Sequence, residues 1–338
     1  MADQPIQKVA VYGAGSWGTA LALQLARAGA NVYLWDIDSE LLDTLELKRE
    51  NERYIPGVKL HDNIHIVRTL EQASEHADLN LLVVPSHVYR QFLQQLGPLL
   101  SEDSKVAWAS KGLEPDSGLL LHQVIDEAIP QVKQKAVISG PTFAVEVAEG
   151  LPTAVTVAAK DEEFALQVAR TLHSDKFRAY TSHDIIGVEL GGALKNVLAI
   201  ATGLSDGLGF GANSRAALVT RGLAEIMRLG LHMGGEKETF MGLAGLGDLV
   251  LTCTDDKSRN RRMGLNLASG LSADQSKEKI GQAVEGVRTA KEAHNMAKKF
   301  SIDCPIIEQV YKILYQDMKP VDVVRDLLSR DLRSESVE

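Results

Sequence analysis

The sequence has few cysteines and an excess of acidic over basic side chains. Its 338 residues include two cysteines, Cys253 and Cys304, and no CxxC pair, which argues against a disulfide framework and leaves too few ligands for a cysteine-based metal site. With 45 acidic and 36 basic residues the formal net charge is -9, whereas nucleic-acid-binding proteins usually present a basic face. We therefore expect no metal site and no nucleic-acid partner.

Long hydrophobic runs and targeting signals are also missing from the sequence. We expect that no apolar run reaches about 20 residues, the length of a membrane span. The first eight residues lack the apolar core expected of a secretory signal peptide. Hydrophobic residues still make up 45% of the chain, an ordinary share for a protein that buries a core. The composition predicts a cytoplasmic protein without a membrane span.

The first half of the chain alternates short β-rich runs with helix-like stretches, beginning with Lys8–Tyr12 and ending with a strand at Thr153–Ala158. Such alternation indicates βαβ crossovers and an α/β fold with a mostly parallel sheet. After about residue 188 the pattern becomes helical. We therefore predict a sheet domain over residues 1–188, followed by an all-helical domain over residues 189–338.

Three glycines, Gly13, Gly15 and Gly18, follow the first strand directly and open the first predicted helix. Gly13 permits a tight turn, Gly15 lets the backbone approach a pyrophosphate, and Gly18 allows the helix to pack closely on the strand. The helix N-terminus adds N–H groups and a positive dipole end. The position of this GxGxxG motif favours a Rossmann-like domain that binds NAD or NADP over a purely structural turn.

An acidic residue, Asp36, follows the second strand, 18 residues after Gly18. A carboxylate there can accept hydrogen bonds from the adenosine ribose and would repel a 2′-phosphate, which favours NAD over NADP. Asp38 is an alternative for this role, and a carboxylate that only caps the next helix is the structural alternative.

Polar groups also follow later strands, where ligands of parallel sheets are found. Lys111, in the run SKGL, is poorly explained by packing and suits contact with a substrate or cofactor. In the run GPTFA, Gly140 and Thr142 offer backbone and hydroxyl donors, although a rigid turn explains them equally well.

The helical half contains Lys195 and Asn196 within the otherwise apolar run LGGALKNV. Burial would draw the pKa of a lysine towards neutrality, which proton transfer requires. Further on, Ser258 has the character of a helix N-cap, and Arg259 follows it. A helix N-terminus with an arginine suits a phosphate, whereas solvated side chains are the alternative for both sites.

Together these motifs closely resemble the bacterial-type NAD(P)-dependent glycerol-3-phosphate dehydrogenases. The matching runs keep the family's order along nearly the whole chain: GAGSWGTALA (13–22), VVPSH (83–87), SKGLE (110–114), SGPTFA (139–144), LGGALKNV (190–197), GLGDLVLTCT (245–254), SRNRR (258–262) and VEGV (284–287). The resemblance implies a Rossmann-like domain followed by a helical substrate-binding domain.

The resemblance also implies roles for individual residues. Lys195 would be the proton donor and acceptor, with Asn196, Asp248 and Thr252 around the same carbonyl or hydroxyl. The cofactor contacts would be Ser16, Trp17, Lys111, Ala144, Arg259, Val284 and Glu285. The substrate contacts would be Lys111, Gly140, Thr142, Lys195, Asp248, Ser258, Arg259 and Asn260.

The expected reaction interconverts dihydroxyacetone phosphate and sn-glycerol 3-phosphate and feeds glycerophospholipid synthesis. The family often uses NADPH, whereas Asp36 favours NAD, so both cofactors stay open. A related reductase of another 2-oxo acid would need no phosphate site at Ser258–Asn260. A non-catalytic dinucleotide sensor would have no reason to bury Lys195. The partner is a small phosphorylated substrate, and a homodimer is compatible with an exposed apolar helical face.

Overall fold

The computed structural model describes residues 4–323, which form two compact units. The first unit combines the chain up to Ser110 with Leu121–Ile185, and the second combines Lys111–Leu120 with the chain from Ile186 onwards. The expected single division after residue 188 therefore differs from the observed one, which comes three residues earlier and moves Lys111–Leu120 to the second unit. The reason is packing, because Leu113 and Leu120 are buried in the core of the helical unit.

The first unit is built on one eight-stranded sheet of order β3-β2-β1-β4-β5-β6-β7-β8. All adjacent strands are parallel except β6 and β7. The first six strands have the order of dinucleotide-binding sheets, which confirms the predicted Rossmann-like fold. The strands are β1 (Lys8–Tyr12), β2 (Asn31–Trp35), β3 (Ile64–Ile66), β4 (Leu79–Leu82), β5 (Lys105–Trp108), β6 (Gln134–Ser139), β7 (Thr153–Ala159) and β8 (Phe177–Ser182).

The strand β8 was not among the predicted strands. Most of its side chains are partly or fully exposed, so the strand lacks the buried apolar run that marks β1 and β4. An edge strand of this kind gives little hydrophobic signal.

The helices of the first unit pack against the sheet around a core that includes Val9, Val11, Leu21 and Leu25. Asp38 and Asp161 begin two of these helices by accepting hydrogen bonds from backbone N–H groups of the first turn. The helices are α1 (Ser16–Arg27), α2 (Ser39–Lys48), α3 (Leu70–Glu75), α4 (Tyr89–Leu96), α5 (Leu121–Ala128), α6 (Ala144–Ala148) and α7 (Glu162–Leu172).

The second unit is helical, and within residues 4–323 no strand follows Ser182. A π-helical turn, Leu243–Gly247, leads into the helix that begins at Asp248. The helices are α8 (Ile185–Gly207), α9 (Gly211–His232), α10 (Lys237–Met241), α11 (Asp248–Thr254), α12 (Arg259–Ala268), α13 (Ala273–Ile280), α14 (Glu285–Phe300) and α15 (Pro305–Tyr315).

The helix α8 is the apolar centre of the second unit. Its length and composition alone would allow it to cross a membrane, so the expectation that no run reaches that length was wrong. In the structure, 94% of the apolar window is buried inside the protein. Leu190, Leu194 and Val197 all lie in the hydrophobic core, which accounts for the apolar composition.

A buried carboxylate joins α9 to the start of α15. Glu225 is 2% exposed and accepts hydrogen bonds from the backbone N–H groups of Ile306 and Ile307, at 2.8 and 3.1 Å. Burial raises the pKa of Glu225 to about 7, while the two N–H donors act in the opposite direction. The first N–H groups of a helix have no partner within it, so Glu225 supplies the acceptors that α15 needs.

We predict that Glu225→Ala lowers the free energy of unfolding by about 3 kcal/mol, because two N–H groups lose their acceptors and a cavity remains. Urea unfolding followed by circular dichroism measures the change. The matched control is Glu308→Ala on α15, whose partly exposed side chain pairs with Lys312. This control should cost less than about 1 kcal/mol. Equal losses in the two variants would contradict the role of Glu225.

Candidate active site

The glycine-rich turn between β1 and α1 is shaped for a ligand that approaches its backbone. Gly13 has φ +109°, a conformation that favours glycine. A Cβ on Gly18 would lie 1.7 Å from the Gly13 carbonyl oxygen, so the helix start packs directly on the turn. At Gly15, in contrast, the Cβ position has no atom within 4 Å. The turn therefore leaves room where a pyrophosphate would approach.

The two aspartates after β2 have different roles. One oxygen of Asp36 accepts a hydrogen bond from the backbone N–H of Ala14 at 2.6 Å, and the other accepts from that of Asp38 at 3.0 Å. The Asp38 side chain begins α2 and pairs with Arg53 at 2.8 Å. Of the two alternatives, Asp36 is thus the one held against the glycine turn.

The other expected site residues of the first unit follow strands of the same parallel sheet. The indole N–H of Trp17 donates to the backbone carbonyl oxygen of Ala109 at 3.2 Å. The Ser16 hydroxyl donates to the backbone carbonyl oxygen of Tyr54 at 3.4 Å. After β6, the Thr142 hydroxyl donates to the Gly140 carbonyl oxygen at 3.2 Å, and Ala144 begins α6. Since β1, β2 and β6 point the same way, Gly13, Asp36 and Gly140 lie at the carboxyl edge of the sheet.

In the second unit a fully buried carboxylate bridges two lysines. The Lys195 ammonium donates to one oxygen of Asp248 and, at 2.9 Å, to the Thr252 hydroxyl. The Lys111 ammonium donates to the other Asp248 oxygen at 2.8 Å. Asp248 is 0% exposed and Lys195 is 5% exposed. The structure thus brings together four residues that the sequence separates by up to 141 positions.

Burial sets the acidity of Lys195. It lowers the pKa of this amine to about 7, Lys111 also acts to lower it, and Asp248 acts to raise it. An amine with a pKa near neutrality exists in both protonation states and can therefore donate and accept a proton at physiological pH.

Asn260 bridges three helices beside this cluster. Its side-chain N–H donates to the side-chain amide oxygen of Asn196 at 2.8 Å. Its own side-chain amide oxygen accepts from the backbone N–H of Gly286 at 2.9 Å. An amide nitrogen carries two N–H groups, so Asn260 can make this bridge and still donate to a ligand. The bridge orients Asn196 and holds the start of α14, where Val284 and Glu285 lie.

The first turn of α12 contains the expected phosphate site. The Ser258 hydroxyl begins the helix by accepting from the backbone N–H of Arg261 at 3.2 Å. Arg259 is half-buried and donates to the Gln282 side chain at 3.3 Å. Burial lowers the pKa of Arg259, and Glu285 acts to raise it. Gln282 was not among the expected site residues, because a polar residue before a helix start carries no distinctive signal.

These features define the class of the protein. A dinucleotide-binding sheet with a glycine-rich turn, and a second unit with a buried lysine whose pKa is lowered to about 7, are features of a nicotinamide-dependent oxidoreductase. Among the described residues, no group of three or more His, Cys, Asp or Glu side chains is placed to hold a metal ion.

Comparisons with known proteins identify the family. Residues 8–165 match the model for the N-terminus of NAD-dependent glycerol-3-phosphate dehydrogenase, and residues 184–325 match that for its C-terminus. A glycerol-3-phosphate dehydrogenase [NAD(P)+] of Photobacterium profundum is 51% identical over 326 residues, 96% of each chain. That of Aeromonas salmonicida is 50% identical over 336 residues, 99% of this chain and 100% of the relative. The chain belongs to the family of NAD-dependent glycerol-3-phosphate dehydrogenases.

Solved structures agree with this assignment. The crystal structure of glycerol-3-phosphate dehydrogenase from Coxiella burnetii is 45% identical, with a TM-score of 0.93 over 96% of this chain and 99% of that one. A ketopantoate reductase from Ralstonia eutropha is 15% identical, with a TM-score of 0.55 over 94% of this chain and 100% of that one. This second likeness concerns the fold alone.

We predict that Asp248→Asn lowers the pKa of Lys195 below 7 by at least about one unit, because the variant removes the adjacent negative charge. Nuclear magnetic resonance titration of the reductively ¹³C-methylated lysine amines measures this pKa. Asp255→Asn is the matched control, because that partly exposed carboxylate lies 3.8 Å from Lys257. A pKa of Lys195 that is unchanged in Asp248→Asn would contradict the coupling.

Proposed function

We propose that this protein interconverts dihydroxyacetone phosphate and sn-glycerol 3-phosphate with a nicotinamide dinucleotide, and that the product feeds glycerophospholipid synthesis. The observation that carries the proposal is the buried amine of Lys195, with its pKa near 7 and its bonds to Asp248 and Thr252. The relatives are named glycerol-3-phosphate dehydrogenase [NAD(P)+], which supports the substrate assignment.

The residues of the first unit fit the dinucleotide. The open approach at Gly15 suits its pyrophosphate, and Asp36 suits the adenosine ribose. When bound, the dinucleotide supplies or accepts the hydride. The residues proposed to hold it are Gly13, Gly15, Ser16, Trp17, Gly18, Asp36, Lys111, Ala144, Arg259, Val284 and Glu285.

Lys195 performs the proton transfer in this proposal. In the reducing direction its ammonium stabilises negative charge on the substrate oxygen and donates the proton. In the oxidising direction the neutral amine removes the hydroxyl proton. Asp248 and Thr252 hold the amine in place, and Asn196 orients the substrate oxygen. The rate of reduction is expected to fall as the pH rises through about 7, and the rate of oxidation to rise.

The phosphate binds at the first turn of α12. Ser258 and Asn260 offer polar groups there, the helix N-terminus offers its positive dipole end, and Arg259 offers a guanidinium fork. Lys111, Gly140 and Thr142 complete the proposed substrate contacts. Binding the phosphate restricts the motion of the substrate, so orientation contributes to the rate.

The direct test is oxidation of NADH, and separately of NADPH, measured at 340 nm with dihydroxyacetone phosphate. We expect oxidation that depends on dihydroxyacetone phosphate, and no comparable rate with ketopantoate. Oxidation of the dinucleotide with ketopantoate but not with dihydroxyacetone phosphate would indicate a reductase of another 2-oxo acid. Cofactor binding without turnover of either substrate would indicate a dinucleotide sensor.

Replacement of Arg259 gives a second test. We predict that Arg259→Ala raises the KM for dihydroxyacetone phosphate about 10- to 100-fold, which corresponds to the loss of a charged hydrogen bond. Arg262→Ala, at an exposed position of the same helix, serves as the control and should leave this KM within twofold. An unchanged KM in Arg259→Ala would remove this residue from the phosphate site.

The aspartate at the glycine turn is proposed to disfavour NADPH. We predict that Asp36→Asn raises the ratio of kcat/KM for NADPH to that for NADH by about tenfold, because the variant removes a charge that repels the 2′-phosphate. Glu40→Gln, at an exposed position of α2, is the control. A ratio that does not change in Asp36→Asn would exclude an electrostatic role in cofactor choice.

We also propose that the protein acts in the cytoplasm as a homodimer. The burial of 94% of the apolar window of α8 supports the location, because this helix packs in the core of the protein. Light scattering coupled to size exclusion determines the assembly state, and a monomer mass would contradict the dimer.

A further inference from the structure

A second arginine of α12, Arg261, is not among the proposed phosphate ligands, but its backbone N–H donates to the Ser258 hydroxyl at 3.2 Å. Its guanidinium pairs with Asp206 near the end of α8 and, at 2.8 Å, with Asp256 in the loop before α12. It also donates to the carbonyl oxygen of Cys253 on α11 at 3.3 Å. The Arg261 side chain is 7% exposed. One buried side chain thus connects three segments of the second unit.

The backbones of α8 and α12 touch at the same point. A Cβ on Gly203 would lie 2.0 Å from the carbonyl oxygen of Arg261, so a side chain at this position of α8 would push α12 away. Lys195 lies on α8, two turns before Gly203. The contact therefore sets the position of α12 relative to the helix that bears the acid–base lysine.

The arrangement around Arg261 fixes direction as well as distance. Burial acts to lower the pKa of Arg261, but Asp206 and Asp256 outweigh it and raise this pKa, so the guanidinium stays charged. A planar guanidinium with two carboxylate partners has one favourable orientation. Buried ion pairs often add little net stability compared with apolar residues of similar volume, whereas they are costly to break.

We propose that Arg261 is a positioning residue for the phosphate site. Through Asp206 and Asp256 it holds the first turn of α12, with Ser258, Arg259 and Asn260, at a set distance from Lys195. The inference rests on the proposed function, since it presumes that this turn binds the substrate phosphate. A displacement of about 1 Å would be enough to separate phosphate binding from proton transfer and to lower the rate by about 100-fold.

The test compares Arg261→Lys with Arg215→Lys. Arg215 pairs with the same Asp206 at 3.3 Å but belongs to α9, so this control weakens an ion pair of Asp206 without touching α12. The measurements are the KM values for dihydroxyacetone phosphate and for the dinucleotide, and the inhibition constant of inorganic phosphate. We expect Arg261→Lys to raise the substrate KM and the phosphate inhibition constant at least tenfold. The dinucleotide KM should rise by a smaller factor, because Arg259 is the one proposed dinucleotide contact within this turn. Arg215→Lys should leave all three within twofold.

A merely structural role has a different signature. It would lower the melting temperature of Arg261→Lys while the folded fraction kept the wild-type KM and inhibition constant, and this outcome overturns the inference. Asp256→Asn provides a variant that should still fold, because the Asp256 side chain is 69% exposed. It should raise the substrate KM about threefold, and an unchanged KM would also count against the inference.

The two proposals can fail separately. If the wild-type protein does not turn over dihydroxyacetone phosphate, the proposed function fails. The increase in melting temperature caused by inorganic phosphate then still decides the role of Arg261. Loss of this increase in Arg261→Lys, with its retention in Arg215→Lys, supports the inference, and its retention in both overturns it.

Discussion

The second unit depends on one buried carboxylate, Asp248. Two lysine ammonium groups placed in an apolar interior would repel each other and lose their hydration, at a cost of several kcal/mol each. Asp248 offsets much of this cost because each of its oxygens accepts from a different lysine. The local structure serves this arrangement: the π-helical turn ends where Asp248 begins α11, and the apolar α8 surrounds Lys195 with buried side chains.

A comparable constraint acts at the glycine turn of the first unit. The strands β1 and β2 are neighbours and parallel, so their carboxyl ends lie side by side. That register brings Asp36 within hydrogen-bond distance of the backbone at Ala14, and the glycines keep the adjacent space open. The pairing of β1 with β2 therefore fixes the Asp36 carboxylate and the open glycine turn in the same place.

Features with a local cause could be predicted from the sequence, and features with a distant cause could not. The glycine turn and the N-cap at Ser258 depend on neighbouring residues, and their patterns are visible in the chain. The strand β8 was missed because its exposed side chains leave no apolar run. The ion pair between Arg261 and Asp206 joins residues 55 positions apart, and nothing in either local pattern indicates the other. The family resemblance implied that Lys195 and Asp248 belong to the same site, but only the structure shows the hydrogen bond between them.

The segment Lys111–Leu120 gives the chain an interleaved connectivity. It belongs to the helical unit, although the sequence places it between two stretches of the sheet unit. During synthesis this segment leaves the ribosome before most of its packing partners exist, so the second core can close only after the rest of that unit has been made. The same connectivity restricts genetic recombination. A single crossover near residue 185 would combine the chain from Ile186 onwards with a Lys111–Leu120 segment from another protein. The two units therefore cannot be exchanged as independent modules, because Lys111, which contacts Asp248, would be exchanged with the sheet unit.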